Sequence, residues 1–245
     1  MSELGIRSTA RPWEAATERG RAVLERFPGI YIRLARHRTP ERDGLDAATD
    51  LLIEGFPRSG NSFLVSWIAT ANPDLRIASH MHSMAHVHAA LRRDLPVVIV
   101  VREPEDALAS LAVFSPEQPL EQHIERYRRF HERAIDVADD VIVSPFEVTT
   151  KRPELVVDAL RPRMSQDLVA SPPGGTVEVM EAVDRRSLRF HGSFDPNVVS
   201  RPSDTRSRAT ESARTMLRAH HGEALARLQI LHDRLTSGPT ALKTG

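Results

Sequence analysis

The chain has 245 residues, enough for one domain with a large core, and its 33 Lys and Arg residues balance 33 Asp and Glu residues. Because the charges balance, no global field attracts nucleic acid, and a bound anion needs a local site. The sequence contains no cysteine, which excludes disulfides, thiolate catalysis and cysteine-based zinc sites. Its apolar runs fall short of the roughly 20 residues of a transmembrane helix, and its first residues do not form an apolar signal segment, so we expect a cytoplasmic protein.

Residues 1–49 are rich in arginine and carry apolar residues at helical spacing, among them Trp13, Val23 and Phe27. We predict that they form an N-terminal helical segment that packs on a larger α/β domain of residues 50–245. The basic side of this segment suits either a membrane surface or, more commonly, solvent.

Strand and helix patterns alternate along the larger domain. Leu51–Ile53 begins a strand, a helix follows over about residues 60–70, and Leu75–Ser79 forms a second strand. After a helical stretch, Pro96–Val101 is a continuous apolar run, as expected for a parallel strand that is covered on both faces. This order predicts an α/β fold with a doubly wound, mostly parallel central sheet.

The second half of the chain adds further elements. A polar helix with an apolar stripe runs over about residues 117–138, and a fourth strand follows within residues 139–147. A last helix spans about residues 210–235. Residues 161–210 are poorly patterned, and we expect a long surface segment from Gly192 to Ser212.

The loop between the first strand and its helix is the strongest functional motif. Gly55 and Gly60 allow the backbone to approach a ligand closely, and the hydroxyls of Ser59 and Ser62 can donate to anion oxygens. N–H groups at the start of a helix have no partners within it, and the helix dipole adds partial positive charge. A glycine-bearing loop between a strand and a helix therefore predicts an anion site.

The spacing of the glycines matches a Walker A loop in which one member is replaced. Where that loop has Gly-Lys-Ser or Gly-Lys-Thr, this chain has Gly60-Asn61-Ser62, and Arg58 is the cation of the loop. ATP and GTP hydrolases use the lysine on the β- and γ-phosphates, so its replacement disfavours nucleoside triphosphate chemistry. An ordinary serine–glycine turn that caps the helix is the alternative.

The segment Pro57-Arg58-Ser59-Gly60-Asn61-Ser62 resembles the 5′-phosphosulfate loop of sulfotransferases that use 3′-phosphoadenosine 5′-phosphosulfate (PAPS). The resemblance implies a P-loop-like, three-layer α/β/α fold. It also implies that the loop binds the cofactor through Arg58, Ser59, Gly60, Asn61 and Ser62. Because an arginine does not donate its proton to a leaving group, we expect Arg58 to have an electrostatic catalytic role.

A second motif follows the third strand, at the edge of the sheet where open α/β folds bind ligands. Residues 102–110 follow the pattern Arg-x-Pro-x-Asp-x-x-x-Ser, which resembles the 3′-phosphate-binding segment of the same enzymes. The resemblance implies that Arg102 and Ser110 hold the 3′-phosphate of PAPS. A P-loop kinase would instead have an aspartate here to hold magnesium. The alternative is an arginine that merely pairs with Glu105 or Asp106 at a helix cap.

The second strand ends near a group of histidines, and histidine suits a general base because its pKa lies near neutrality. Cytosolic sulfotransferases carry a Lys-Thr-His sequence here, and Ser79-His80 resembles its Thr-His part, with Ala78 in the lysine position. We predict His80 as the base and His82 as the alternative. Further histidines follow, but no carboxylate accompanies them in the sequence, so we do not expect a metal site.

Sulfotransferases also close a late basic segment over the cofactor, usually with an Arg-Lys-Gly signature. That signature is absent from this sequence. Arg201, in the segment Arg201-Pro202-Ser203, is the nearest candidate for this role.

These motifs together predict a PAPS-dependent sulfotransferase. It would transfer a sulfuryl group to a hydroxyl or amine of a small-molecule, glycan or lipid acceptor, with adenosine 3′,5′-bisphosphate as the product. The alternatives are a P-loop small-molecule kinase and a non-catalytic nucleotide-binding protein. We expect no nucleic-acid partner, and the sequence leaves the oligomeric state open.

Overall fold

A four-stranded parallel sheet forms the centre of the computed structural model, which describes residues 44–191 and 204–243. The strands lie in the spatial order β2-β1-β3-β4. They are β1 (Leu51–Gly55), β2 (Ile77–Ser79), β3 (Val97–Val101) and β4 (Ile142–Pro145). The central strand β3 is buried throughout, which is why it consists of valine and isoleucine alone.

The sheet continues past β4 through the end of the described chain. Val143 donates its N–H to the carbonyl of Thr240 at 3.2 Å, and Leu242 donates to the carbonyl of Val143 at 3.0 Å. These bonds form a parallel bridge between Val143 and Ala241. The bridge covers the outer side of β4, where backbone groups would otherwise be open to pairing with another chain.

Eight helices surround the sheet in the described part of the chain. They are α1 (Asn61–Ala71), α2 (Met84–Leu91), α3 (Pro104–Phe114), α4 (Leu120–Ile135), α5 (Phe146–Lys151), α6 (Pro153–Leu160), α7 (Gly175–His191) and α8 (Asp204–Ser237). Short 3₁₀ turns occur at Ala138–Asp140 and Arg161–Arg163. α8 is kinked at His221, whose backbone angles are not helical. None of these described helices combines the length and the apolar character that a membrane crossing requires.

Each face of the sheet has its own hydrophobic core, because successive strand residues point to opposite faces. Leu52 and Ile99 belong to the core beneath α2, α3, α4 and α8. Leu51 and Val98 belong to the opposite core, beneath α1, α5, α6 and α7. The sheet therefore lies between two helical layers.

The predicted α/β class and the parallel sheet are confirmed, and the four strands lie within or close to the predicted ranges. The fourth strand ends earlier than predicted, because Phe146 begins α5 directly after Pro145. The predicted surface segment is wrong at its end, since the last helix already begins at Asp204.

Helix α7 lies in the stretch of the sequence that showed no clear period. Its buried anchors are Val179 and Val183, which pack into the core beneath α1. Most of the other residues of α7 are polar or exposed. Two apolar anchors in a long helix are too sparse to stand out as a stripe in the sequence.

Two predictions fall on residues that lie outside the described ranges. The N-terminal helical segment lies there up to residue 43, so this segment and the domain boundary at residue 50 stay predictions. Arg201 lies in the undescribed interval between α7 and α8.

Candidate functional site

The candidate site lies at the carboxyl ends of β1 and β3. These strands are neighbours, and the helices that follow them, α1 and α3, pack on opposite faces of the sheet. In open α/β sheets such a change of side leaves a crevice beyond the strand ends, where ligands bind. Both predicted phosphate motifs begin at this crevice, one at Phe56 and the other at Arg102.

The loop after β1 makes a tight turn in which Ser59 donates its N–H to the carbonyl of Phe56 at 3.2 Å. Arg58 and Gly60 have positive φ angles of 70° and 95°. A positive φ is uncommon for arginine, costs on the order of 1–3 kcal/mol and persists only where surrounding contacts enforce it. The contacts of the Arg58 side chain and carbonyl, described below, enforce it here.

The start of α1 has no side-chain cap. Gly60 is the N-cap and offers no side chain to bond the first N–H groups of the helix. Ser59 is fully buried, and its Oγ finds no hydrogen-bond partner in the described part of the chain. A Cβ at Gly60 would lie 3.3 Å from the ring of Phe146, so packing and the positive φ both favour glycine at this position.

Asn61 takes the position of the Walker A lysine, and its side chain contacts backbone carbonyls of the preceding loop. It is buried, and its Nδ2 lies 3.4 Å from the carbonyl oxygen of Gly55 and 3.5 Å from that of Phe56. A Cβ at Gly55 would lie 2.7 Å from Asn61 Oδ1 and 2.5 Å from the carbonyl oxygen of Val100. Gly55 is therefore required for packing against β3 and Asn61, a reason that the sequence motif did not suggest.

Three predicted cofactor-binding residues meet in one place, and we call Arg58, Arg102 and Ser110 the arginine cluster. Arg58 Nε donates to Ser110 Oγ at 3.3 Å. Arg102 Nη1 donates to the carbonyl oxygen of Arg58 at 2.9 Å. The loop after β1 and the segment after β3 are thereby joined at the carboxyl edge of the sheet.

Aromatic rings and burial hold the arginine cluster in place. Arg58 Cζ lies 5.1 Å from the ring centre of Phe114, and Arg102 Cζ lies 4.3 Å from that of Phe146. Burial is the main cause that lowers the pKa of Arg102, although a guanidinium stays charged at any physiological pH. Arg102 Nε is buried and has no hydrogen-bond partner among the residues described.

Tyr127 of α4 fixes the backbone directly after β3. Its hydroxyl donates to the carbonyl oxygen of Arg102 at 2.7 Å. The tyrosine ring stacks on His131 with 3.7 Å between ring centres, and His131 Nδ1 lies 2.8 Å from the carbonyl oxygen of Tyr127. Burial lowers the pKa of His131 to about 3 and raises that of Tyr127 well above its usual value, so both side chains are neutral.

His80 connects the end of β2 with the start of α1, and we call Ser79, His80 and Ser62 the histidine chain. His80 Nε2 lies 2.9 Å from Ser62 Oγ, and His80 Nδ1 lies 2.5 Å from Ser79 Oγ. The backbone φ of His80 is 66°, which aims the ring back at the loop rather than along the strand direction. The tautomer of the ring decides which of its two nitrogens donates.

His82 serves a different purpose from His80. Its Nδ1 donates to the carbonyl oxygen of Gly55 at 2.8 Å. The backbone N–H groups of Met81 and His82 donate to the buried carboxylate of Glu54, at 3.0 Å and 2.8 Å. These bonds tie the segment after β2 to β1, whereas the ring of His80 bonds the start of α1.

Arg186 of α7 is a site residue to which the sequence motifs assigned no role. Its Nη2 donates to Ser79 Oγ at 3.2 Å, which brings a guanidinium to the end of the histidine chain. Burial and the neighbouring Arg189 lower the pKa of Arg186 to about 10. The contact joins residues 107 positions apart, and a sequence motif does not reveal a contact over such a separation.

The predicted residues thus form two groups that share the loop after β1. The arginine cluster contains Arg58, and the histidine chain contains Ser62. In residues 44–191 and 204–243, no three His, Asp or Glu side chains come together as metal ligands would. Arg201 lies outside the described residues, and its predicted role stays a prediction.

No protein-family model matches this chain, and no curated protein matches it significantly. The functional argument therefore depends on the motifs and on the geometry of the site.

Proposed function

We propose that the protein is a PAPS-dependent sulfotransferase that transfers a sulfuryl group to a hydroxyl or amine of a small-molecule, glycan or lipid acceptor. One observation carries the proposal. The arginine cluster converges beside the uncapped start of α1, and a histidine bonded to that same helix lies at the end of the neighbouring strand. Anion-binding groups and a general base thus share one crevice.

The donors of this crevice suit the anionic ends of PAPS. Guanidinium groups and helix N–H groups bind sulfate and phosphate oxygens strongly, because the bonds are charge-assisted. Two of the buried atoms without a hydrogen-bond partner in the described chain, Ser59 Oγ and Arg102 Nε, can donate to an anion. The sequence motifs assigned Arg58 and Arg102 to opposite ends of the cofactor. In the structure, the Arg102 side chain bonds the backbone carbonyl of Arg58, and the Arg58 side chain bonds Ser110. We therefore assign both arginines jointly to holding the anionic groups of the donor.

When bound, PAPS supplies an activated sulfuryl group whose leaving group is adenosine 3′,5′-bisphosphate. In the proposed mechanism, His80 Nε2 accepts the proton of the acceptor hydroxyl. This requires the tautomer in which Nδ1–H donates to Ser79 Oγ, and it requires Ser62 to release Nε2. The hydroxyl of Ser62 is then available to an anion oxygen, so the same movement frees the base and adds a donor to the anion site. The arginine cluster stabilises negative charge without exchanging protons.

A non-catalytic nucleotide-binding protein is the second candidate, and one observation favours it. Both ring nitrogens of His80 are already within hydrogen-bond distance of serine hydroxyls, so the base is occupied in this structure. Such a protein would bind adenosine 3′,5′-bisphosphate and transfer nothing. A kinase is less well supported, because Asn61 bonds backbone carbonyls at the lysine position and Arg102 follows β3 at the magnesium-aspartate position.

The proposal is tested first by calorimetric titration of the purified protein with adenosine 3′,5′-bisphosphate and with ATP and magnesium. We expect clear preference for the bisphosphate, and equal affinities would contradict the proposal. The second step is incubation of the protein with PAPS that carries labelled sulfate and with an extract of candidate acceptors. Label transferred to an acceptor supports the enzyme, and bisphosphate binding without any transfer supports the second candidate.

A further inference from the structure

Asp106 of α3 contacts two guanidinium groups that come from different elements. Its Oδ2 lies 3.7 Å from Arg102 Nη2, beyond hydrogen-bond distance. Its Oδ1 accepts from Arg214 of α8, at 2.8 Å from Nη2 and 3.0 Å from Nε. The carboxylate is therefore bonded to α8 and only adjacent to the arginine cluster.

The bond to Arg214 is part of an ion-pair network between α3 and α8. Arg214 Nη1 also pairs with Glu211 at 2.8 Å. One turn later, Arg218 donates to both carboxylate oxygens of Glu105, at 2.9 Å and 2.5 Å. Two arginines of α8 thus hold two neighbouring carboxylates of α3, and only one of those carboxylates faces Arg102.

We propose that Arg214 is a positioning residue that keeps Asp106 from neutralising Arg102 and so preserves the affinity of the crevice for phosphate and sulfate esters. A carboxylate next to an anion-binding arginine competes with the ligand for the same N–H groups. Arg214 offers Asp106 a closer partner, which leaves Arg102 Nη2 beyond hydrogen-bond distance. The inference rests on the anion site of the proposed function.

Other charged groups face Arg102 as well. Burial is the main cause that lowers the pKa of Arg102. Among the charged groups, Asp106 and Glu147 of α5 raise this pKa and Arg214 lowers it, so each of the three interacts electrostatically with the guanidinium. We propose that the side chain of Asp106 moves towards Arg102 when Arg214 is removed. Without Arg214, Asp106 keeps Arg102 as an ion-pair partner at 3.7 Å, and the inference is that the carboxylate then turns towards it.

The test is calorimetric titration with adenosine 3′,5′-bisphosphate at fixed ionic strength. For Arg214→Gln we expect the affinity for the bisphosphate to be about tenfold weaker. This is the effect expected when one carboxylate, that of Asp106, competes with the ligand for a charge-assisted bond to Arg102. Arg218→Gln is the matched control, because it removes the same charge from the same helix but frees Glu105. It should change affinity by less than about twofold, while both variants lose similar thermal stability. Wild-type affinity in Arg214→Gln would overturn the inference.

Asp106→Asn separates positioning from any direct effect of Arg214 on the ligand. If Arg214 acts through Asp106, the double variant Arg214→Gln/Asp106→Asn should bind within about twofold of Asp106→Asn alone. If the double variant is again about tenfold weaker than Asp106→Asn, Arg214 acts on the ligand directly and the inference is wrong.

The same series titrated with inorganic sulfate distinguishes failure of this inference from failure of the proposed function. Sulfate binding that depends on Arg214 through Asp106, with no preference for the bisphosphate over ATP, supports the inference and contradicts the sulfotransferase. If bisphosphate affinity is the same in the wild type and in Arg214→Gln, the inference is contradicted and the sulfotransferase proposal is unaffected. No binding of sulfate or bisphosphate by the wild-type protein overturns both.

Discussion

The arginine cluster and the histidine chain lie at the same crevice but are built from different chemistry. In the cluster, guanidinium groups are fixed by a backbone carbonyl, a hydroxyl and two aromatic rings. In the chain, neutral hydroxyls flank an imidazole on both sides. The first arrangement provides permanent charge, and the second provides a group that can gain and lose a proton.

This difference implies that binding and turnover should respond separately to substitution. Permanent charge holds an anion whether or not a reaction follows. A neutral imidazole contributes little to anion affinity, but it can lower a barrier by accepting a proton in the transition state. Substitutions in the arginine cluster and in the histidine chain therefore test whether binding and turnover depend on different residues.

The largest effect should come from His80→Gln, which removes the base but keeps a side chain able to bond Ser62. We expect turnover to fall by roughly 10²–10⁴-fold, the usual contribution of a general base. Affinity for adenosine 3′,5′-bisphosphate should stay within about twofold. The measurements are label transfer from PAPS and calorimetry, with His88→Gln in α2 as the control. A large loss of affinity in His80→Gln would instead show that His80 has a structural role. The separation of binding and turnover between the two groups would then be wrong.

The next effect should come from Arg102→Ala, which removes a charged donor from the cluster. Charge-assisted bonds contribute about 1.5–3 kcal/mol, so affinity for the bisphosphate should fall by roughly ten- to a hundredfold. Arg128→Ala is the matched control, because Arg128 is an exposed arginine of α4 that pairs with Glu125 and Glu132. If Arg102→Ala lowers turnover of saturated enzyme but not affinity, the cluster belongs to catalysis rather than to binding.

Sequence patterns anticipated much of this geometry, because the motifs lie at strand ends and the strands are apolar runs. Once β1 and β3 are parallel neighbours, residues that follow them must meet at one edge of the sheet. The convergence of Arg58 and Arg102 follows from that topology. The loop, β3 and the end of β2 were all predicted for this reason.

What the sequence did not predict depends on contacts between distant residues or on unusual backbone angles. Arg186 reaches Ser79 across 107 positions from a helix with few apolar anchors. Phe146 lies beneath Arg102 because β4 ends at Pro145, one residue before a helix starts. The positive φ of His80, which turns its ring toward Ser62, has no signature in residue type. Such features follow from packing rather than from local pattern.

A smaller effect should appear in the pH dependence of stability, through His131, which stacks on Tyr127 next to the end of β3. The pKa of His131 falls from 6.5 to about 3 in the folded protein, so below pH 6.5 the unfolded chain takes up a proton that the folded protein does not. The free energy of unfolding should therefore decrease as pH falls from 6.5 towards 3, by at most about 1.4 kcal/mol per pH unit. Urea unfolding across this range measures the slope.

Two variants isolate the contribution of His131 to that slope. His131→Phe should remove part of the slope, whatever it does to stability at neutral pH. His220→Gln, a substitution of an exposed histidine in α8, should leave the slope unchanged. An identical slope in His131→Phe and wild type would mean that other groups govern acid unfolding.

The smallest effect should come from Tyr127→Phe, which removes one hydroxyl and keeps the ring that stacks on His131. The carbonyl oxygen of Arg102 would lose its 2.7 Å bond from Tyr127, at a cost of about 1 kcal/mol in the free energy of unfolding. Because this bond fixes the end of β3 and not the start of α1, bisphosphate affinity should fall a few-fold while turnover of the saturated enzyme stays unchanged. Urea unfolding, calorimetry and label transfer together measure the three quantities. If turnover falls and affinity does not, the end of β3 also positions the histidine chain. The arginine cluster and the histidine chain would then be structurally coupled.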